Sequence, residues 1–279
     1  MTYEKVKKEL NETWDKVASN FGKIGPKYWN QFGSRLVELA DIRKNGIVLD
    51  IGMGRGASLF PASKQVGDNG MIIGIDLSEG MVKETAKEIK EKNIKNAEVI
   101  KMDAGKLDFD DNYFDYVICG FGFPYLYIED NKLSNISKIL KKDGQVAFSV
   151  WGTQEDNSWI SGLIGRHLDT KPKDNKDEKE KKEESDTPRL DTKEGIEEVL
   201  SKAGFKDIRL YEEDKDIIYK DKEEWWNEMW SNAVRRLFEK IDNDKLKELK
   251  EEALEELENY RNNKGICFKR KVLYCLARK

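Results

Sequence analysis

The sequence predicts an α/β fold, a doubly wound and largely parallel sheet with helices on both faces and a helical cap. Three observations predict it. Short apolar runs recur through the middle of the chain, separated by amphipathic stretches of helical length. The runs are nearly continuous rather than alternating, as expected of strands covered on both faces. The first run ends in a glycine-rich turn, Asp50-Ile51-Gly52-Met53-Gly54-Arg55-Gly56.

Taken in order, Tyr3 to Ala40 reads as two helices separated by Gly22 to Pro26. Leu10, Trp14, Val17, Ala18 and Phe21 fall at helical spacing in the first, and Trp29, Phe32, Leu36, Val37 and Ala40 share one side of the second. Strands follow at Ile47–Ile51, Met71–Asp76, Ala97–Met102, Asp115–Cys119 and Gln145–Val150. Asp169 to Arg189 carries no hydrophobic residue, so burial cannot offset its ordering entropy. It reads as a disordered or mobile insert, dispensable for folding; a charge-paired exposed helix is the alternative. Thr192 is placed to cap a helix reaching Ala203, with Gly204 after it. Phe205–Tyr211 reads as a strand, Asp221–Glu239 as an aromatic-rich helix and Lys245–Tyr260 as a second one. In the closing strand, Val272, Tyr274 and Leu276 face one side and Leu273, Cys275 and Ala277 the other.

These readings divide the chain into a helical cap segment at 1–44, the core at 45–168, the charged insert at 169–189, the core continued at 190–220, a cap insertion at 221–264 and a closing strand at 265–279. Truncation before Lys44 is expected to leave the sheet foldable and open the site.

Composition narrows the function. The 279 residues are 38% hydrophobic and 37% charged, with a net charge of −4. With a pI near 5.5, the chain lacks the basic face that phosphate backbones require. No apolar stretch is long enough to span a bilayer and no leader is visible at Met1 to Leu10. Cys119, Cys267 and Cys275 lie far apart without C-x-x-C spacing, which suits reduced thiols in the cytoplasm.

The chemistry-bearing residues fall at the carboxyl ends of successive strands, where open α/β sheets bind ligands. Pro61 limits the helix start to near Ser58, which leaves Gly52 to Gly56 as an open loop. Asp76 ends the second strand, where a carboxylate accepts both hydroxyls of a ribose. Asp103 ends the third, and Cys119-Gly120-Phe121-Gly122-Phe123-Pro124-Tyr125 ends the fourth. Gly52, Gly54 and Ala57 satisfy a dinucleotide pattern, so an NAD(P)-linked Rossmann oxidoreductase is one reading. Asp50 would repel a pyrophosphate, whereas S-adenosylmethionine (SAM) carries a positive amino group and a sulfonium.

Residues from about Gly46 to Val150 resemble a class I SAM-dependent methyltransferase, most nearly the ubiquinone/menaquinone-biosynthesis type acting on small molecules. The carriers are Val48 to Gly56, Gly74-Ile75-Asp76-Leu77-Ser78-Glu79-Gly80-Met81, Asp103, Phe109 to Asp115, and Leu140 to Gln145. The resemblance implies a Rossmann-like, seven-stranded sheet whose last strand is antiparallel. It implies that Asp50, Gly52, Gly54 and Gly56 serve the methionine part of SAM and that Asp76 holds the ribose. Leu77 and Met81 would pack on the adenine, Asp103 and Ala104 would read its edge, and Gly120 and Phe121 would flank the methyl group.

The same stretch lacks features of other methyl transfers. No polar side chain heads Gly122-Phe123-Pro124-Tyr125 to accept base-amine hydrogens, and Cys119 does not follow a proline. Glu129-Asp130-Asn131 is the local acidic candidate for a metal and reads as a helix start, so no metal is expected. His167 borders the charged insert and reads as solvent-exposed, so no general base is assigned. The acceptor wall is expected from the aromatic ends of the chain, with Tyr28, Phe32, Phe123, Tyr125, Trp226 and Trp230 assigned to it. A SAM-binding accessory protein without catalysis is the reading from another class. Product S-adenosylhomocysteine (SAH) would bind the same site.

Overall fold

A computed structural model describes residues 3–127, 132–154, 157–168 and 188–279. The insert expected at 169–189 falls outside the described residues except for its last two, and Glu129-Asp130-Asn131 falls outside them altogether.

The chain opens with α1 (Tyr3–Val17) and α2 (Tyr28–Ala40). Strands and helices then alternate: β1 (Ile47–Ile51), α3 (Leu59–Val66), β2 (Met71–Asp76), α4 (Glu79–Glu91), β3 (Ala97–Lys101) and β4 (Phe114–Gly120). After α5 (Phe123–Tyr127) and α6 (Lys132–Ile139) come β5 (Leu140–Trp151) and α7 (Asn157–His167). The last part holds α8 (Lys193–Lys202), β6 (Lys206–Tyr219), α9 (Lys222–Trp230), α10 (Arg235–Phe238) and α11 (Asn243–Glu256). It closes with the short β7 (Arg261–Asn262) and β8 (Gly265–Arg278).

The main sheet runs β3-β2-β1-β4-β5-β8-β6, and β7 pairs only with β8. Strands β1 to β5 pair in parallel, while β8 is antiparallel to both β5 and β6. This is the seven-stranded arrangement expected, with β7 as a two-residue addition. The chain order reverses beside β1, which places a crevice at the ends of β1 and β4.

The two sheet faces carry separate cores, and the alternation in β8 sorts as the sequence indicates. Val272, Tyr274 and Leu276 join the core with α2 and α3, and Leu273, Cys275 and Ala277 join the core with α6 and α8. Thr192 caps α8 by accepting the Gly195 N–H, and Ser58 precedes α3 so that Pro61 lies in the first turn.

Three expectations are corrected. β6 continues past Tyr211 to Tyr219, its backbone pairing with β8 throughout. Asp214 and Asp216 stand opposite Lys271 and Lys269, so opposite charges take the place of the apolar alternation that sequence reading relies on. The long helix expected at Asp221–Glu239 breaks after Trp230. There the Ser231 hydroxyl donates to the Glu228 carbonyl and Asn232 Oδ1 accepts the Val234 N–H.

Third, α2 is core rather than cap alone. Phe32, Leu36, Val37 and Ala40 are all at most 2% exposed against the sheet. Truncation before Lys44 therefore removes part of the fold, and removal of α1 alone is the change that opens the site. Phe32→Ala is expected to lower the unfolding free energy by about 3–5 kcal/mol in urea denaturation. A change under ~1 kcal/mol would contradict this packing.

Candidate active site

The site is built first from the turn after β1. Gly52 and Gly54 have φ of 66° and 52°, a left-handed conformation that a side chain at either position would resist. Gly52 N and Met53 N donate to the Ile75 carbonyl at 2.8 and 3.1 Å, tying the loop to β2. A Cβ built on Gly52 meets only Gly122 Cα at 4.0 Å, so the cradle is open above it.

Asp76 ends β2 beside this loop. Its Oδ2 accepts the Gly54 N–H and its Oδ1 the Ser78 N–H, both at 2.9 Å. Burial, opposed by these bonds, pushes its carboxyl above the ordinary range. Ser78 caps α4 by accepting the Met81 N–H. From α1, Asp15 reaches the same turn, accepting from the Ser78 hydroxyl at 2.6 Å and Gly80 N at 2.9 Å. Asp103 Oδ2 accepts from Lys7 Nζ at 2.6 Å, so α1 lies across this end of the cavity.

One cavity of about 1730 Å³ runs from these residues into an aromatic chamber. Gly52, Gly54 and Gly56 line it from the loop. Asp76, Leu77 and Met81 line it from the end of β2 and α4, Asp103 and Ala104 from beyond β3, and Gly120 and Phe121 from the end of β4. Tyr28 and Tyr125 line the chamber.

Asp50, Phe32, Phe123, Trp226 and Trp230 do not line it. Asp50 is fully buried behind the loop, with Oδ2 accepting from the Ser58 hydroxyl at 2.7 Å and Oδ1 without a partner. Phe32 is packed against the sheet. Phe123 stacks on Phe148 at 3.7 Å in the opposite core. Trp226 and Trp230 turn onto Phe238, while Trp225 and Met229, one residue earlier on α9, face the cavity. One residue on a helix is a rotation of about 100°.

The aromatic ends of the chain also place Trp29 on this wall, while Trp151, Trp159 and the ribbon residues carry no sequence signal. Trp29, Trp151 and Phe121 cluster, with Phe121–Trp151 centroids 4.5 Å apart. Phe121 carries φ 59°, a non-glycine left-handed residue at the site itself. Trp159 stacks on Trp225 at 5.8 Å. Beyond the last β5 pair, Trp151 with Val272, β6 and β8 continue as a two-stranded ribbon and bring in Ile217, Tyr219, Phe268 and Arg270. His167 is 8% exposed rather than solvent-facing and contacts Glu252 at 3.1 Å. Burial drives the Cys119 thiol far up, so it is no nucleophile.

Burial, with the nearby Asp76 charge and against the Ser58 bond, raises the Asp50 carboxyl to about 7. An unfolded aspartate titrates near ~3.9. The native state therefore binds the proton more tightly. The Asp50 contribution to ligand-free stability is expected to fall as pH rises from about 4 to about 7 and then to level. Asp50→Asn should make the slope shallower over that range. Melting temperatures across pH check it, and parallel profiles for the two proteins would refute it.

Comparison with known proteins agrees with this geometry. Residues 48–144 match the family model described as a methyltransferase domain. Residues 48–144 are thus similar to methyltransferase domains. Aklanonic acid methyltransferase from Streptomyces sp. is 34% identical over 143 residues, covering 51% of this chain and 65% of that enzyme. Demethylmenaquinone methyltransferase from Staphylococcus carnosus is 32% identical over 145 residues, covering 50% of this chain and 58% of that enzyme. Nocamycin O-methyltransferase from Saccharothrix syringae is 26% identical over 83% of this chain and 85% of its own length. Among solved structures, the YcgJ protein of Bacillus subtilis shares the fold with TM-score 0.58 and 18% identity, over 89% of this chain and 98% of its own. The [4+2]-cyclase SpnF shares it with TM-score 0.53 and 18% identity, over 90% and 81%. Outside residues 48–144, Trp29, Trp151, Trp159 and Trp225 supply much of the aromatic chamber.

Proposed function

We propose that the chain transfers a methyl group from SAM to a small, flat or apolar acceptor in the cytosol. The observation that carries this reading is the continuity of one cavity from the glycine cradle to the aromatic chamber. The residues present fit SAM. The cradle is open over Gly52, Asp50 keeps an unmatched buried oxygen beneath it, and each Asp76 oxygen retains a lone pair. In this reading Gly52, Gly54 and Gly56 take the methionine part and Asp76 the ribose. Leu77 and Met81 pack on the adenine, Asp103 and Ala104 read its edge, and Gly120 and Phe121 flank the methyl. Segments 1–44 and 221–264 supply the roof, with α2 also serving the core.

When bound, SAM supplies an electrophilic methyl on a sulfonium. The chain's part is to position the acceptor and exclude water. Phe121, Trp151 and Trp29 do so beside β4, and Trp225, Trp159 and Met229 on the far wall. The relatives named for aklanonic acid, nocamycin and demethylmenaquinone support a small-molecule acceptor. Three free cysteines support a reducing compartment, and no helix among the described residues is long and apolar enough to cross a membrane.

The test is a screen of flat acceptors with radiolabelled SAM, alongside calorimetry with SAH and NADH. SAH binding with label transfer supports the reading, and NADH binding without SAH binding overturns it. SAH binding with no transfer supports a SAM-binding accessory role, because the fold itself also occurs in a cyclase.

The helical phase of α9 gives a further expectation. Trp225→Ala should raise KM for the acceptor about tenfold, the equivalent of roughly 1.4 kcal/mol of lost contact. Both are buried in the same core, so both variants should lose stability, but Trp226→Ala should leave KM within about threefold. Steady-state kinetics of both variants decide it, and a larger KM change in Trp226→Ala would contradict the phase.

A further inference from the structure

The chamber holds a buried carboxylate that donor binding does not use. Glu228 lies on α9, is 2% exposed and projects between α2 and β6. Its Oε1 accepts the Tyr28 hydroxyl at 2.5 Å and its Oε2 the Tyr219 hydroxyl at 2.6 Å. Both tyrosines line the cavity. Gly25, before α2, closes over the carboxylate, since a Cβ there would lie 3.1 Å from Glu228 Cγ.

The groups facing Glu228 come from every neighbouring element. They are Tyr28 on α2, Tyr219 on β6, Arg270 on β8 and Asn232 in the turn after α9. Burial pushes the Glu228 carboxyl above the ordinary value, while the two hydroxyls and the Arg270 charge act in the other direction. A carboxylate is a costly way to join two tyrosines, because burying a charge is expensive even when it is paired. As a proton acceptor beside a reaction chamber, the same arrangement has a use.

We propose that Tyr28 and Glu228 form the proton-accepting pair of the methyl transfer, serving an acceptor whose hydroxyl arrives protonated. This rests on the methyltransferase reading above. Tyr28 is the contact residue, because its ring neighbours Trp29 at 4.8 Å and Trp151 at 6.4 Å, and Trp151 packs on Phe121 at the end of β4. Tyr219 packs away from β4, against Phe268 at 6.1 Å, and holds the other carboxylate oxygen. As the acceptor oxygen bonds to the methyl carbon, the carbon–sulfur electron pair stays on sulfur. The acceptor proton passes to the Tyr28 hydroxyl oxygen, whose own proton moves to Glu228 and later to solvent. Glu228 is thus a positioning residue that acts through Tyr28. The acceptor class is a flat hydroxylated aromatic, distinct from a carboxylate, which needs no base.

The test uses the full chain, radiolabelled SAM, and phenol, 1-naphthol and 1-hydroxyanthraquinone beside benzoate and 1-naphthoate. The wild type should methylate at least one hydroxyl compound. Glu228→Gln should lower its kcat by about 100-fold or more, with KM changed less than threefold and SAH affinity unchanged. The wild-type kcat should rise with pH along a limb above the ordinary glutamate range, and Glu228→Gln should lack that limb. Glu228→Asp should recover part of the rate. Tyr28→Phe keeps the Tyr219 bond and should match the Gln variant, whereas Tyr219→Phe should cost less. Transfer to the carboxylates alone, or an unchanged pH limb in Glu228→Gln, would overturn the proposal. A chain that fails to bind SAH would overturn the methyltransferase reading instead.

Discussion

Asp76→Ala is expected to weaken SAH binding by about 10- to 150-fold, the equivalent of roughly 1.5–3 kcal/mol for hydrogen bonds to a charged group. The carboxylate works twice. Toward the protein it fixes the glycine loop and the start of α4, through Gly54 N and Ser78 N. In the proposed SAM reading, its oxygens also accept the ribose hydroxyls. Burial, and then the Asp15 charge, raise its pKa. The ionised form is the stronger acceptor, so SAH affinity should fall as pH drops through that raised value. In Asp76→Ala this dependence should vanish. Asp76→Asn keeps the volume and one acceptor oxygen and should fall between. Calorimetric titration of the three proteins with SAH decides it, and equal affinities would remove Asp76 from the site.

How much of this was legible in the sequence follows from what each signal depends on. The glycine cradle and the strand ends around it were readable because their signals are local. A left-handed turn needs Gly52 and Gly54, and the residues ending β2, β3 and β4 meet at one edge once the strands are parallel. The aromatic chamber depends on how terminal helices dock. α9 carries Trp225, Trp226 and Trp230, so its aromatic residues define no single stripe and periodicity does not tell which of them faces the cavity. Phe123 is apolar in a loop-like stretch and was claimed by the core under α5, stacked on Phe148. The ribbon bringing Tyr219 and Arg270 into the chamber was hidden because its β6 strand reads Glu212-Glu213-Asp214-Lys215-Asp216, a charge run that resembles a loop until its pairing with β8, where Lys271 and Lys269 stand opposite Asp214 and Asp216, is known. His167 borders a charged segment in sequence yet is held under α11 by Glu252. One missed residue did leave a signal, since Gly33 interrupts a good amphipathic helix at a cost of ~1 kcal/mol relative to alanine, and such a glycine usually has a packing reason.

Gly33→Ala should therefore do the opposite of what helix propensity predicts. In an exposed helix the change stabilises by ~0.5–1 kcal/mol. On α2 the added Cβ would overlap the Ala57 carbonyl and lie 2.8 Å from Ser58 N. These are backbone atoms at the end of the glycine loop, so no rotamer change relieves the contact. Either α2 lifts from the sheet, disturbing Phe32 and Leu36, or the loop moves relative to Asp76. Overpacking of this kind costs about 1–3 kcal/mol, enough to outweigh the propensity gain. Because the strain falls on the donor cradle, SAH affinity should drop by about tenfold or more as well, the equivalent of roughly 1.4 kcal/mol. Gly162→Ala on α7 is the matched control, since its Cβ would meet nothing within 4 Å. It should raise the melting temperature slightly and leave SAH binding alone. Thermal melts and SAH titrations of both variants give the answer. If Gly33→Ala were as stable and bound SAH as tightly as the wild type, α2 could not rest on the glycine loop as described.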